Sequence, residues 1–134
     1  ECGATRVSKE NLFRQADIIT IHVLLSDRSR GAVGAEEFAL MKSSAYLVNT
    51  SRGPIVDEAA LIDALKSNKI KGAGLDVYDQ EPLPADHPLR KLDNTVLTGH
   101  LGYVMQENYE LMYTGAVECI KGWLAGSPVR VLND

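Results

Sequence analysis

DIITIHVLL, at residues 17–25, is a nearly continuous apolar stretch in which, after Asp17, the polar exceptions are Thr20 and His22. Its length and its lack of alternation are typical of a strand that is buried on both faces of a sheet. Three further stretches fit the same description, at 45–50 (AYLVNT), 73–78 (AGLDVY) and 95–98 (TVLT). The sequence therefore predicts four buried strands.

Helical patterns separate these strands. Residues 8–16 (SKENLFRQA) predict a short helix that leads into the first strand, and residues 36–42 predict a second one. Asp57 is placed to cap a third helix, whose apolar residues between Leu61 and Leu65 fall on one face. Strands and helices that alternate at this spacing predict right-handed βαβ units on a parallel sheet, the doubly wound α/β class.

The last predicted helix, residues 103–125, carries a longer apolar stripe than the others. The helix should end at Gly126-Ser127-Pro128. Because the stripe runs along the whole helix, we expect it to pack against another surface. Its members follow one another at alternating spacings of four and three residues: Met105, Tyr109, Met112, Ala116, Cys119 and Trp123.

The composition of the 134 residues is that of an ordinary globular protein, and the net charge of -4 argues against a nucleic-acid partner. No apolar run approaches the roughly 20 residues that cross a bilayer, and the first residues do not resemble a secretory signal. We therefore expect no membrane partner and a cytoplasmic location. Cys2 and Cys119 lack the spacing of a zinc site or a disulfide framework, so we expect packing or surface thiols and no metal.

Polar side chains follow the second, third and fourth predicted strands. They are Arg52 within Thr50–Pro54, then Asp76 with Glu81 beyond it, then His100. Ligands of open α/β sheets bind at the carboxyl ends of the strands, so these groups could meet in one cleft. Each also has a plain structural explanation: a surface charge for Arg52, a bond to a loop amide for Asp76, a helix cap for His100.

The remaining histidines, His22 and His87, have no evident carboxylate partner nearby in the sequence, and we interpret both as structural. The segment between the third and fourth strands, residues 80–94, contains Pro82, Pro84 and Pro88. This composition predicts an ordered loop, and ordered loops of this length in compact domains tend to be functional.

Three motifs together make the chain resemble the D-isomer-specific 2-hydroxyacid dehydrogenases. They are NTSRGPIVDEAAL at 49–61, GLDVYDQEPL at 74–83 and TGHLG at 98–102. Their order and spacing are those of the family from residue 16 to about residue 120. Agreement of three separate motifs by chance is very improbable.

The resemblance implies catalytic roles for Arg52, Glu81 and His100. Arg52 would bind the carboxylate and carbonyl of a small 2-keto or 2-hydroxy acid, and His100, paired with Glu81, would exchange the proton. Reduction of a keto group develops negative charge on its oxygen, so a fixed cation and a proton donor are needed there. An arginine can also grip a carboxylate with two parallel hydrogen bonds.

NAD or NADP is the cofactor that the resemblance implies. Among the residues that would contact it, Asp76 would hold the carboxamide of the nicotinamide ring. The full set lies at predicted strand ends: Val23, Leu24, Thr50, Ser51, Arg52, Asp76, His100 and Gly102.

Two features depart from the family pattern. The 134 residues contain no G-x-G-x-x-G fingerprint, and the pair Gly72 and Gly74 precedes a predicted strand and cannot replace it. We therefore expect residues 1–134 to be the C-terminal half of a Rossmann-type dinucleotide-binding domain, a parallel sheet with flanking helices, without the glycine-loop half and the substrate domain. Gly99 precedes His100 where proline is usual, which should loosen the backbone.

The sequence thus predicts an NAD(P)-dependent D-2-hydroxyacid dehydrogenase that is a homodimer when complete and inactive as the 134 residues alone. An alternative of another class is a dinucleotide-sensing, corepressor-like binding module with little turnover. Arg52, Glu81 and His100 argue against that alternative. A further possibility is that the chain by itself is an inert, partly folded product.

Overall fold

The computed structural model describes residues 3–132. The chain divides into two compact units, Glu1–His100 and Leu101–Asp134. Within the described part of the first unit, the elements in chain order are α1 (Lys9–Gln15), β1 (Ile18–Ile21), α2 (Ala35–Leu40), β2 (Tyr46–Asn49), α3 (Glu58–Lys66), β3 (Gly72–Leu75) and β4 (Thr95–Leu97). Short 3₁₀ turns lie at Gly53–Ile55 and Pro88–Lys91.

The strands form one parallel sheet in the order β1-β2-β3-β4. Ile21 lies opposite Asn49, which lies opposite Leu75, and Leu75 lies opposite Leu97. The carboxyl ends of all four strands are therefore level with one another. This arrangement confirms the predicted α/β class with a parallel sheet and flanking helices.

Helices α1, α2 and α3 cover one face of the sheet, and the hydrophobic core lies between them. Helix α2 contacts both of its neighbours. The buried core residues come from both layers: Phe13, Phe38, Leu61 and Leu65 from the helices, and Ile19, Ile21, Leu47, Ala73 and Leu75 from the strands.

The prediction that the strands are buried on both faces was wrong for β1, β2 and β4 of the described chain, whereas β3 has no exposed residue. Along β1 the side chains alternate between exposed and buried, with Ile18 65% exposed and Ile19 5% exposed. Tyr46 and Val96 are exposed on the same face as Ile18. Helices α1–α3 pack on the opposite face, so these apolar side chains have no covering helix within the described part of the first unit.

The first strand is also shorter than the predicted 17–25, because β1 ends at Ile21. Its partner β2 ends at Asn49, which pairs with Ile21, so later residues have no ladder to continue. A turn takes over instead, in which the Ser29 hydroxyl donates to the Leu24 carbonyl at 2.6 Å. Residues 22–25 therefore form a loop beyond the carboxyl end of the sheet.

The cap of α3 and the order of the 80–94 loop agree with the sequence predictions. The Asp57 side chain caps α3 by accepting from the Ala60 N–H at 3.0 Å, as predicted. The 80–94 loop is ordered, since the Arg90 guanidinium donates to the carbonyls of Leu83 and Pro84. Gly72 and Gly74 belong to β3 and do not precede it.

The second unit contains α4, Gln106–Leu124. Gly126 has a φ of +70° just after the helix end, as the predicted stop requires. The predicted apolar stripe is exposed along much of its length, including Trp123 at 72%. Cys119 is a free thiol and half-buried, whereas Cys2 lies outside the described residues. Among residues 3–132, no helix has the length and apolar character needed to cross a membrane.

Candidate active site

Backbone hydrogen bonds hold the segments that follow β1, β2, β3 and β4 side by side. The Asp76 N–H donates to the Asn49 carbonyl, and the Thr98 N–H donates to the Leu75 carbonyl, both at 3.0 Å. The Ser51 hydroxyl reaches across to the Ile21 carbonyl at 2.9 Å. The polar residues predicted at separate strand ends are thus brought to one edge of the sheet.

The turn that carries Arg52 is shaped by Asn49, a buried side chain that is 1% exposed. Its amide oxygen accepts from the Ser51 N–H at 3.1 Å, and its amide nitrogen donates to the Arg52 carbonyl at 2.9 Å. The Arg52 side chain is exposed, and its guanidinium donates to the Ser51 carbonyl. No role was predicted for Asn49 beyond its place in the 49–61 motif, although a polar residue inside an apolar strand could have indicated one.

Glu81 and His100 form a close pair. His100 Nδ1 lies 2.6 Å from Glu81 Oε2, and both side chains are about one third exposed. An ionised carboxylate can only accept, so Nδ1 carries the proton of this hydrogen bond. The two residues are 19 positions apart in the sequence, and the chain between them is folded so that Glu81 orients the imidazole ring.

Glu81 is held as a charged group. Burial raises the pKa of this carboxyl, but the hydrogen bonds from His100 and from the Tyr78 N–H outweigh it, helped by the positive charges of His100 and Arg52. The resulting pKa lies below the ordinary value of 4.5. Arg52 is thus near enough to act on Glu81 electrostatically.

His100 has a backbone φ of +60°, in the left-handed region that residues with a side chain rarely adopt. Such conformations cost of order 1–3 kcal/mol and cluster at functional sites. The residue before it is Gly99, where the family pattern has proline, and a Cβ added there would meet no atom within 4 Å. The position is therefore open enough for a larger residue.

Asp76 lies directly after β3 and is buried, 4% exposed. Its carboxylate accepts a short hydrogen bond, 2.5 Å, from the Thr98 hydroxyl. Thr98 was part of the quoted TGHLG motif, but no role was assigned to it. The predicted contact of Asp76 with the carboxamide stays a prediction.

An open cavity of about 560 Å³ lies beyond the ends of β1 and β2, and it brings together most of the residues predicted to contact the cofactor. Exposed Val23 and Leu24 provide apolar surface beside the hydroxyls of Thr50 and Ser51. Such a mixture of apolar wall and few polar groups suits a planar ring with a polar substituent. The lining residues are His22, Val23, Leu24, Leu25, Thr50, Ser51 and Arg52.

His22, which we interpreted as structural, lines this cavity, and its Nε2 is 2.8 Å from the Thr20 hydroxyl. Gly102, predicted to contact the cofactor, belongs to the second unit, so its role stays a prediction.

His87 does have a carboxylate partner, although a distant one in the sequence. Its Nε2 lies 3.0 Å from Glu58 Oε1 at the start of α3, and its Nδ1 accepts from the Leu89 N–H. Nε2 therefore ties the 80–94 loop to the start of α3, and Nδ1 stabilises a turn within the loop, which fits the structural role that was predicted. No group of three or more potential ligands among residues 3–132 is arranged to hold a metal ion.

The sequence profile of the family described as "D-isomer specific 2-hydroxyacid dehydrogenase, NAD binding domain" matches residues 1–102. The chain is also 45% identical over 135 residues to glyoxylate reductase from Korarchaeum cryptofilum (strain OPF8). That alignment covers 100% of this chain and 41% of the relative, so the chain spans about two fifths of the relative's length.

Two solved structures resemble the chain closely. One is the NAD-complexed form of a D-isomer specific 2-hydroxyacid dehydrogenase from Lactobacillus delbrueckii ssp. bulgaricus, with a TM-score of 0.80 and 29% identity over 94% of this chain and 42% of that one. The other is an acyclic imino acid reductase in complex with NADPH and D-Arg, with a TM-score of 0.80 and 34% identity over 99% of this chain and 42% of that one.

Proposed function

The chain belongs to the NAD-binding domain family of the D-isomer-specific 2-hydroxyacid dehydrogenases, and from that premise we propose that its protein reduces a small 2-keto acid to the D-2-hydroxy acid. The observation that carries this proposal is the 2.6 Å contact between Glu81 and His100 at the sheet edge that also bears Arg52. Keto-acid reduction needs a proton donor and a positive charge at the substrate oxygen. In this proposal His100, oriented by Glu81, is the proton donor, and Arg52 provides the charge.

Arg52 binds the substrate in this proposal. Its guanidinium is exposed at the carboxyl edge, and it offers two parallel N–H donors to a carboxylate. The same positive charge stabilises the negative charge that develops on the carbonyl oxygen during reduction. The buried Asn49 side chain fixes the turn that presents it.

His100 supplies the proton. With Nδ1 held by Glu81, Nε2 is the nitrogen that exchanges the proton with the substrate oxygen. In the reductive direction the keto carbon gains a hydride, the oxygen gains the proton from His100, and the ring is left neutral. In the oxidative direction the neutral ring takes the proton back, so the pair serves as acid and as base.

The bound nicotinamide cofactor would supply the hydride. The apolar and hydroxyl-bearing residues of the 560 Å³ cavity, Val23, Leu24, Thr50 and Ser51, fit one face of such a ring. The two solved structures contain NAD and NADPH respectively, so the proposal includes both. We propose in addition that the protein works as a homodimer. None of the three relatives described above is named as a sensing module.

A turnover assay on the full-length protein tests the proposal. Oxidation of NADH or NADPH is followed with glyoxylate and pyruvate, and the configuration of lactate formed from pyruvate is determined by chiral chromatography. We expect oxidation of at least one cofactor and formation of the D-product. His100→Asn should abolish turnover, whereas His87→Asn, which changes the other carboxylate-paired histidine, should retain it.

Failure of every combination of cofactor and keto acid would contradict the proposed function. So would equal activity of the His100→Asn variant and the wild type. Formation of L-lactate would show that the hydride reaches the opposite face of the carbonyl.

A further inference from the structure

Tyr78 lies three residues beyond the end of β3 and is buried, 6% exposed. Its hydroxyl is 3.0 Å from the Leu75 carbonyl and 2.8 Å from the Thr98 carbonyl. A phenol has one proton, so the two carbonyls share it. Because Thr98 is two residues before His100, this hydroxyl ties the segment that carries His100 to the end of β3.

The backbone of Tyr78 holds Glu81. Its N–H donates to Glu81 Oε1 at 3.0 Å, while the other carboxylate oxygen, Oε2, faces His100 Nδ1. Both oxygens of Glu81 are therefore engaged, one by Tyr78 and the other by His100. The Tyr78 backbone therefore fixes the position of the Glu81 carboxylate relative to the end of β3.

The turn that carries Arg52 packs directly against Tyr78. A Cβ atom added to Gly53 would lie 2.0 Å from the Tyr78 carbonyl carbon and 2.1 Å from its oxygen. Real Cβ atoms do not approach backbone so closely, so the contact needs glycine at this position. Tyr78 thus touches the segments that carry Arg52, Glu81 and His100.

We propose that Tyr78 is a positioning residue that sets the orientation of His100 against Glu81 through its hydroxyl and braces the Arg52 turn through its backbone. The proposal rests on the proposed function for its catalytic consequence, but the geometry it describes can be measured without turnover. Tyr78 acts through these neighbours, since its hydroxyl is engaged by the Leu75 and Thr98 carbonyls.

The hydroxyl is held in its protonated, donating form. Burial and the nearby charge of Asp76 both raise the pKa of the Tyr78 phenol above its ordinary value of 10.0. The Thr98 carbonyl, Arg90 and Glu81 are the other groups that act on it. The phenol therefore remains a donor throughout the pH range in which such an enzyme works.

Tyr78→Phe in the full-length protein tests the contribution of the hydroxyl alone, because the backbone of residue 78 is unchanged. The ring and the N–H to Glu81 remain, while the bond to the Thr98 carbonyl is lost. The primary readout is the ¹⁵N chemical shifts of the His100 ring, measured through its carbon-bound protons at alkaline pH and assigned by their loss in His100→Asn. In the wild type we expect Nδ1 to be the protonated nitrogen, and in Tyr78→Phe we expect a shift toward the Nε2-protonated tautomer.

Kinetics provide the second readout. Loss of one shared hydrogen bond should lower kcat by about three- to tenfold. The KM for the keto acid should change by less than about twofold, because the Gly53 contact with the Tyr78 backbone is retained and Arg52 stays in place.

Two control variants separate positioning from general effects. Tyr46→Phe removes a hydroxyl from a tyrosine that is 45% exposed on β2. Ser8→Ala removes the N-cap of α1, where the Ser8 side chain accepts from the Asn11 N–H, and lowers stability at a remote place. Neither should change the ring ¹⁵N shifts or the balance of kcat and KM.

The proposal is overturned if Tyr78→Phe has the wild-type ¹⁵N shifts, or if Ser8→Ala changes them equally. It is also overturned if wild-type His100 is protonated on Nε2 at alkaline pH, since Glu81 would then not hold Nδ1–H. If the wild type reduces no keto acid, the proposed function fails, and the ¹⁵N comparison still decides the role of Tyr78.

Discussion

At the scale of single residues, Arg52 is the group whose chemistry is hardest to replace. A lysine at this position would keep the charge but lose the planar fork that can bind a carboxylate with two hydrogen bonds. The turn that carries Arg52 is fixed by hydrogen bonds with the Asn49 side chain, and it packs against the Tyr78 backbone at Gly53. Arg52→Lys therefore changes the hydrogen-bonding geometry at this position and keeps the positive charge.

Arg52→Lys should cost roughly 2–4 kcal/mol of transition-state stabilisation, measured as the fall in kcat/KM for keto-acid reduction. Arg14→Lys is the matched control, because Arg14 forms an exposed ion pair with Glu10 on α1. The control should change kcat/KM very little. Equal values for Arg52→Lys and the wild type would make Arg52 a surface charge.

The placement of Arg52, Glu81 and His100 at one edge of the sheet could be predicted from the sequence, because each follows a predicted strand, whereas their catalytic roles come from the resemblance and stay predictions. The role of Tyr78 could not be predicted, since it depends on contacts that only the folded chain makes, whereas Asn49 could have been singled out as a polar residue inside an apolar strand. Tyr78 in particular binds residues three and twenty positions away, Leu75 and Thr98, through one hydroxyl. No spacing rule links such partners.

At the scale of elements, the turn after β2 and the loop after β3 meet at Gly53. A methyl group there would come within 2.5 Å of the Tyr78 carbonyl and of the Asp79 nitrogen. Those atoms belong to the backbone of the loop after β3, so the turn and the loop would have to move apart. Side chains at the site would move with them.

Gly53→Ala should lower the free energy of unfolding by about 1–3 kcal/mol, or by more if the backbone cannot shift. Urea denaturation of the full-length protein measures this loss as a lower midpoint at an unchanged slope. Gly74→Ala is the matched control in β3, because its methyl would meet Val48 at 3.8–3.9 Å, an ordinary contact. Equal midpoints for the two variants would show that the turn is not packed as described.

The elements themselves were predicted with mixed success. Helix α3 and its Asp57 cap, and the stop of α4 at Gly126, follow from local chemistry that sequence carries. The end of β1 at Ile21 does not, because it is decided by where β2 stops pairing. The exposure of Ile18 and Val96 likewise depends on which face the helices cover, and strand hydrophobicity cannot reveal that.

At the scale of the whole molecule, the site is a consequence of parallel topology. The four strands end level, so Arg52 and His100, which are far apart in the sequence, lie at one edge of the sheet. Arg52 and His100 could not act on one substrate without that alignment. The central claim is that the charged Glu81 carboxylate holds the His100 ring with Nδ1–H toward it.

The pH dependence of Glu81 follows from its lowered pKa. Its carboxylate stays charged through the neutral range, and the stabilisation it gives the pair is lost only as the pH falls through a value below 4.5. Throughout the working range a negatively charged carboxylate therefore faces His100 and accepts its Nδ1–H. Glu81→Gln keeps the shape and removes that charge.

The most direct measurement is the pH profile of kcat/KM for the full-length wild type and Glu81→Gln, in both reaction directions at fixed ionic strength. In the wild type, kcat/KM should fall on the acid side as the pH drops through the Glu81 pKa, below 4.5, because the protonated carboxyl loses the charge that holds His100 Nδ1–H. Glu81→Gln lacks that charge at every pH, so its kcat/KM should be below the wild-type value at neutral pH, and this acid limb should be absent. Equal kcat/KM values for the two proteins at neutral pH would contradict this, because the charge of Glu81 would then be dispensable.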